Sequence, residues 1–353
     1  MPAKLPVPLA NAYRRLYYAA NSVLQTHAWG PLAGLCRPGH IAFLLTYRCS
    51  AKCVHCDIWR NRGVEHGPTE ADWRRAVAEI RAWLGPVHIV FTGGEALLKP
   101  FTVDLVAYAS SLGLQVELLS HGYWKDRKLF ECLAAARPWR VTFSIDAVGP
   151  THDLIRGRAG FFERASASIE ALEAARSQLG LQFPIRLKTV VMEHNLDDLE
   201  GVARYATRTG MDVLYQAIEP NYGSPEIQDW RERGANWPRD ATRAIAALDR
   251  LIALRREGLH IANKESDLRA MQHYFRDPET RQTEVVRHSH QNICAFLSNL
   301  EVHADGDVHC CFKQPAIGNI QKAPLREIWA GRPHYWSSGC CWQSPDASAT
   351  AKQ

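Results

Sequence analysis

Between residues 38 and 218, short runs rich in Val, Ile, Leu and Phe alternate with longer stretches whose apolar residues recur every three or four positions. The short runs predict strands at Ile41–Tyr47, His88–Thr92, Gln115–Ser120, Arg140–Ile145, Ile185–Met192 and Asp212–Ala217. The longer stretches predict helices at Glu70–Leu84, Phe101–Leu112, Asp126–Ala135, Phe161–Leu179 and Leu196–Arg208. Six strands with intervening helices predict an α/β fold, a parallel sheet of βαβ units covered by helices on its outer face. Such sheets carry their chemistry at the carboxyl ends of the strands.

The pattern changes on both flanks. Residues 1–37 predict an amphipathic helical extension, with Tyr13, Leu16, Tyr17, Ala20, Val23 and Leu24 on one face. Packing of that face onto the main domain is one reading, and docking onto a membrane surface or a partner is the other. Residues 219–290 read as a bridging segment: a loop at Pro220–Pro225, a helix at Arg239–Arg256, and a polar stretch, Lys264–His290, with little periodicity. Residues 291–353 form a small cysteine-rich region with a hairpin, Leu300–His303 and Val308–Cys311, and a short helix, Leu325–Ala330.

Composition narrows the function classes. The 353 residues carry a formal net charge of +5 with basic residues spread over helices, which gives nucleic-acid binding no support. No apolar run approaches the ~20 residues of a membrane span, and no N-terminal stretch reads as a secretion signal. A cytoplasmic, reducing setting follows as an expectation, and there thiols serve metal or redox chemistry. The 10 cysteines are clustered, three in 49–56 and five in 294–341, with Cys36 and Cys132 apart as expected core or surface thiols.

Cys49, Cys53 and Cys56 stand at C-x3-C-x2-C spacing just beyond the first predicted strand. A structural zinc site closes with four protein ligands, whereas three thiolates on one loop leave a corner of a four-iron cluster open to a small molecule. Buried inert cysteines, or a zinc knuckle with His55 as a further ligand, are the alternatives from spacing alone. At the end of the second strand, Gly93 and Gly94 permit close backbone approach, and Glu95 offers a carboxylate suited to an ammonium group. A plain strand-to-helix turn fits the same residues.

The pair of motifs, in this order and on these strands, resembles the radical S-adenosylmethionine (SAM) superfamily over about residues 38–218. The resemblance implies a partial (β/α)6 barrel. It implies that Cys49, Cys53 and Cys56 hold a [4Fe-4S] cluster whose open site chelates SAM, with Gly93, Gly94 and Glu95 at the amino group. Reductive cleavage then gives a 5′-deoxyadenosyl radical that abstracts hydrogen from substrate. Ser144 and Asp146 resemble the family's Ser-x-Asp near the ribose or methionine part, and Arg156 is placed as a carboxylate partner. Val190 to Met192, Val191 among them, and Gln216 fall where later strands meet adenine or substrate. His121 stands where the family has Asn before Gly, and is a candidate to face substrate.

Cys294, Gly306 and Cys311 resemble the opening of the SPASM and twitch auxiliary-cluster domains, with Cys340 and Cys341 as later ligands and Cys310 as a substitute for Cys311. Too few cysteines remain for a full SPASM set, so the shorter twitch type with one auxiliary iron–sulfur cluster is expected. A zinc site or a redox disulfide is the alternative. The whole implies a radical SAM enzyme of small-molecule biosynthesis, served by an electron donor such as flavodoxin or ferredoxin. Peptide maturation is the second reading, and a non-catalytic iron–sulfur electron carrier is a third, disfavoured by Gly93-Gly94-Glu95.

Overall fold

A computed structural model describes residues 5–26, 34–61, 67–219, 231, 234–278, 298–310 and 315–332. Helix α1 (Val7–Thr26) precedes a series of strands and helices: β1 (His40–Leu44), α2 (Glu70–Leu84), β2 (His88–Thr92), α3 (Thr102–Ser111), β3 (Gln115–Ser120), α4 (Lys128–Ala135), β4 (Arg140–Ser144), α5 (Pro150–Arg156), α6 (Phe161–Gln178), β5 (Ile185–Val191), α7 (Leu199–Arg208) and β6 (Asp212–Ala217). After them come α8 (Ala241–Arg256), α9 (Glu265–Arg276), β7 (Asn299–Val302), β8 (Asp307–His309), β9 (Gly318–Asn319) and α10 (Leu325–Ala330).

All six predicted strands and the five helices between them are present. Their ends follow local chemistry. Thr69 caps α2 through a reciprocal box with Asp72, and α5 starts with Pro150 and stops at Gly157 in the left-handed region. The first strand is shorter than the apolar run because residues after Leu44 leave the ladder with β2. The expected polar, aperiodic stretch after Lys264 contains a regular helix, α9, which buries Leu268, Met271, Tyr274 and Phe275.

Strands β1 to β6 pair in parallel in sequence order, as βαβ units require. Strand β7 pairs parallel to the free edge of β1, and β8 and β9 continue antiparallel, so one nine-stranded sheet runs β6-β5-β4-β3-β2-β1-β7-β8-β9. The hairpin near the C-terminus is thereby an extension of the barrel sheet, which nothing in the local sequence signals. Alternation on β5, with Ile185, Leu187, Thr189 and Val191 buried, sends one set of side chains to the helices and the other to the inner face. The main core lies between sheet and helices and contains Phe43, Trp73, Phe91, Phe130 and Phe143.

Helix α1 packs on the main body through Tyr13 and Tyr17 of the expected face, while other members of that face stay in solvent. Leu16 is 72% exposed and Val23 60%. The contact face instead uses polar tips: Tyr13 Oη donates to the Leu84 carbonyl, Tyr17 Oη to Pro38, Arg14 to Pro86, and Asn21 pairs twice with the Arg37 backbone. These carbonyls lie just before β1 and β2 and need donors, which apolar side chains cannot supply.

Candidate active site

The three thiols of 49–56 converge. Cys53 is buried, Cys49 and Cys56 are half-buried, and all three pack with Ala51, Phe161 and Tyr123. Burial first, then Glu95 and the neighbouring sulfurs, push the Cys49 thiol up to about 12, and burial with Cys53 pushes Cys56 up to about 11. Burial that keeps Cys49 and Cys56 as thiols is opposed once a cation binds, because the thiolate is the ligand form. Their spacing, burial and shared packing fit a cluster bound through three cysteines, although among the described residues they do not close on a single-ion site. The fourth-ligand reading of His55 gains no support, because the charges acting on its ring are Asp146, Arg156 and His194.

Gly93 and Gly94 serve the chain itself. A Cβ on Gly93, at φ +128°, would stand 2.4 Å from the Thr46 carbonyl oxygen, and one on Gly94 would stand 2.4 Å from that of Arg48. Gly94 N–H donates to Thr46 (2.7 Å) and Glu95 N–H to Arg48 (2.9 Å). The Gly-Gly-Glu turn is therefore clipped onto the backbone that leads into Cys49. The Glu95 carboxylate is 1% exposed and accepts from Leu97 N–H (3.2 Å), Ser120 Oγ (3.1 Å) and His121 N–H (2.8 Å).

His121 does not face an open substrate space. It is 5% exposed, stacked on Trp124 and edge-on to Phe161. Its Nδ1 accepts from Tyr123 N–H (2.9 Å), and Nε2 lies 3.0 Å from Ser50 Oγ. Burial lowers its pKa, partly offset by Glu95, whose Oε2 lies 3.2 Å from Nδ1. His121 thus ties the cluster loop to the ends of β2 and β3. Here the barrel-wall position occupied by His121 is filled by a structural link.

Asp146 and Arg156 are brought together, and with them Cys53. Arg156 reaches Asp146 Oδ2 at 2.7 Å and donates to Cys53 Sγ at 3.4 Å. Asp146 is fully buried, its other oxygen accepts from Val190 N–H (3.0 Å), and its backbone is held by His152 and Asn195. Burial opposes the Asp146 charge, but Arg156 outweighs it and holds the carboxyl below its ordinary value. Ser144 lies partly exposed at the end of β4, on the inner face. The Val191 side chain is fully buried on the helix side, by the alternation of β5, and Val190 is its inward neighbour.

The inner face of the sheet carries charge that the periodicity did not reveal. Glu117 accepts from Thr142 and pairs with Arg140 and His88, and Arg186 pairs with Asp212. Lys188, between Arg186 and Val190, makes no salt bridge among the described residues; burial lowers its pKa, partly offset by Glu117, Glu219 and Asp146. At β1 and β7, Tyr47 Oη meets His303 Nδ1 at 2.9 Å. Cys310 shares the buried side of Val308 and packs in the core, where burial pushes its thiol up to about 11. Cys294, Cys311, Cys340 and Cys341 lie outside the described residues. Cys36 is buried and Cys132 exposed.

Comparison with known proteins agrees with this geometry. Residues 43–206 match the profile of the "Radical SAM superfamily", and residues 294–344 match that of SPASM, an "Iron-sulfur cluster-binding domain". An AdoMet-dependent heme synthase of Methanosarcina barkeri is 28% identical over 313 residues, covering 83% of this chain and 82% of that protein. A PqqA peptide cyclase of Rhodopseudomonas palustris is 29% identical over 181 residues, covering 51% of this chain and 46% of its own. The crystal structure of Streptococcus suis SuiB bound to S-adenosylmethionine shares the fold at TM-score 0.62 and 15% identity, over 83% of this chain and 66% of SuiB. A [4Fe-4S] cluster and SAM are accordingly the cofactors, with auxiliary iron–sulfur binding at the SPASM segment. Residues 43–206 of the chain form a radical SAM enzyme domain.

Proposed function

We propose that this enzyme acts on a small molecule bearing carboxylates, with peptide maturation as the second reading. The observation that carries the preference is the extent of likeness: the heme synthase matches over most of both chains, the peptide cyclase over about half. Heme is a small macrocycle with carboxylate side chains. The inner face of the barrel suits such a ligand, since the Lys188 ammonium there makes no salt bridge among the described residues, with Glu117, Glu219 and Asp146 acting only at longer range, while Arg140 and Arg186 are paired.

Cys49, Cys53 and Cys56 would hold the cluster, which with SAM supplies a carbon-centred radical for hydrogen abstraction. Glu95, fixed by Ser120 and His121, places a negative charge near Cys49 and so near the amino group of SAM. Ser144 contributes a hydroxyl from the inner face. Cys294, Cys311, Cys340 and Cys341 are assigned to one twitch-type auxiliary cluster, and the buried Cys310 is left to the core. Reduction calls for a low-potential donor such as flavodoxin or ferredoxin, and the unpaired thiols suit a cytoplasmic setting.

The test uses the anaerobically reconstituted full chain with SAM and a reductant. Iron coproporphyrin III is expected to raise 5′-deoxyadenosine formation above the substrate-free rate, and an equimolar short peptide is not. The reverse order overturns the small-molecule reading in favour of the peptide one. No 5′-deoxyadenosine under any condition, with iron content confirmed, would remove the enzyme reading itself.

A further inference from the structure

Helix α5 is fastened to the cluster loop on both sides of Cys53. Lys52 N–H donates to the Arg156 carbonyl (3.2 Å), and Val54 N–H donates to that of Ile155 (3.0 Å). Gly157, which ends the helix at φ +70°, lies so close that a Cβ there would stand 2.6 Å from the Lys52 carbonyl oxygen. The guanidinium of Arg156 is held against the loop by this backbone contact, at 6% exposure.

Its two terminal nitrogens are already committed. One meets Asp146 at 2.7 Å and the other donates to the Cys53 sulfur at 3.4 Å. Asp146 cannot readily turn away, since its second oxygen accepts from Val190 N–H and its backbone from Asn195 and to His152 is fixed. Asp146 holds that side of the guanidinium by charge, since Oδ2 has the ion pair at 2.7 Å and no hydrogen bond, and the third nitrogen, Nε, is buried with no hydrogen-bond partner among the described residues.

Resting on the assignment of the cluster to Cys49, Cys53 and Cys56, we infer that Arg156, oriented by Asp146, is a positioning residue that sets the reduction potential of the cluster through its bond to the Cys53 sulfur. Reduction adds one electron, taken from a low-potential one-electron donor, to a centre already made negative by three thiolates. Hydrogen bonds to cluster sulfurs and nearby positive charge stabilise the reduced form more than the oxidised one, and so raise the potential. The buried site strengthens the effect, because little water screens it.

The experiment is an anaerobic redox titration of the reconstituted full chain, followed by electron paramagnetic resonance. The catalytic cluster is identified as the signal that changes on adding SAM. Arg156→Met is expected to move its reduction equilibrium about tenfold toward the oxidised form at fixed potential, a midpoint ~59 mV lower. Arg156→Gln, which keeps a donor and loses the charge, is expected to shift it less and in the same direction, and it carries the test if the Met variant does not load iron. An unchanged midpoint in a variant with full iron content overturns the inference. An unchanged midpoint together with weaker SAM binding, read from the SAM-dependent signal, restores Arg156 to the SAM carboxylate. Wild-type protein with no SAM-responsive cluster signal would instead defeat the cluster assignment on which the inference rests.

Discussion

On the helix side of the sheet, Phe43, Ile89, Phe91, Val116, Leu118 and Phe143 are all fully buried and apolar. On the inner side the same strands carry His88, Glu117, Arg140, Thr142, Arg186 and Lys188. One face is dry and stabilises by area removed from water. The other exchanges water for ion pairs, whose desolvation offsets much of their attraction. The difference separates two tasks along a single backbone. Apolar burial resides on one set of alternate residues, and the other set, held by its own ion pairs, lines the space a ligand could enter.

The cluster loop belongs to neither face, and its loss gives the largest effect. Cys53→Ala should reduce 5′-deoxyadenosine formation to the uncatalysed background, with loss of the SAM-responsive iron signal, while far-ultraviolet circular dichroism keeps the wild-type shape. Phe91→Ala, on the dry face, should cost ~3–5 kcal/mol by leaving a cavity, read from urea unfolding. On the charged face, Glu117→Ala should cost less, ~1–3 kcal/mol, because the half-buried Arg140 loses its partner but keeps some access to water. The double change Glu117→Gln, Arg140→Met should recover most of it. If the double variant is as unstable as Glu117→Ala, the charges of the inner face are structural after all.

The smallest effect concerns acid. His152 is fully buried, and burial first, then Arg156, lowers its pKa from 6.5 to about 3. The folded form therefore binds fewer protons than the unfolded one between these values. Stability from this residue is complete above pH 6.5 and declines as pH falls toward 3. His152→Gln should flatten the loss of stability between pH 6.5 and 5, by ~2 kcal/mol at most. Urea midpoints of the two proteins at those pH values provide the measurement.

Much of the scaffold is legible in sequence because its signals are local. His88–Thr92, Gln115–Ser120, Asp212–Ala217 and Glu70–Leu84 have the expected bounds, being apolar runs closed by turn or capping residues. Helix α9 was obscured by polar residues, although Leu268, Met271 and Phe275 lie at helical spacing. At the site, Cys49, Cys53, Cys56 and Gly93-Gly94-Glu95 are legible for the same local reason. The links that hold them are not: Ser50 meets His121 across 71 positions, and Arg156 meets Cys53 across 103. The expected face of α1 misled in part, because Tyr, Arg and Asn tips, rather than Leu16 and Val23, make its contacts.

The placement of β7 beside β1 has a consequence for the order in which the protein matures. Tyr47 and His303, joined across this seam, are 256 positions apart. A nascent chain emerging from the ribosome can therefore assemble β2 to β6 well before β1 gains its second neighbour. Until then β1 is an open edge that invites pairing with other chains. Such distant pairing slows folding, since a long loop must close before any contact repays it. The strand that leads into Cys49 is the last to be secured, so insertion of iron would be best timed after synthesis of the C-terminal hairpin.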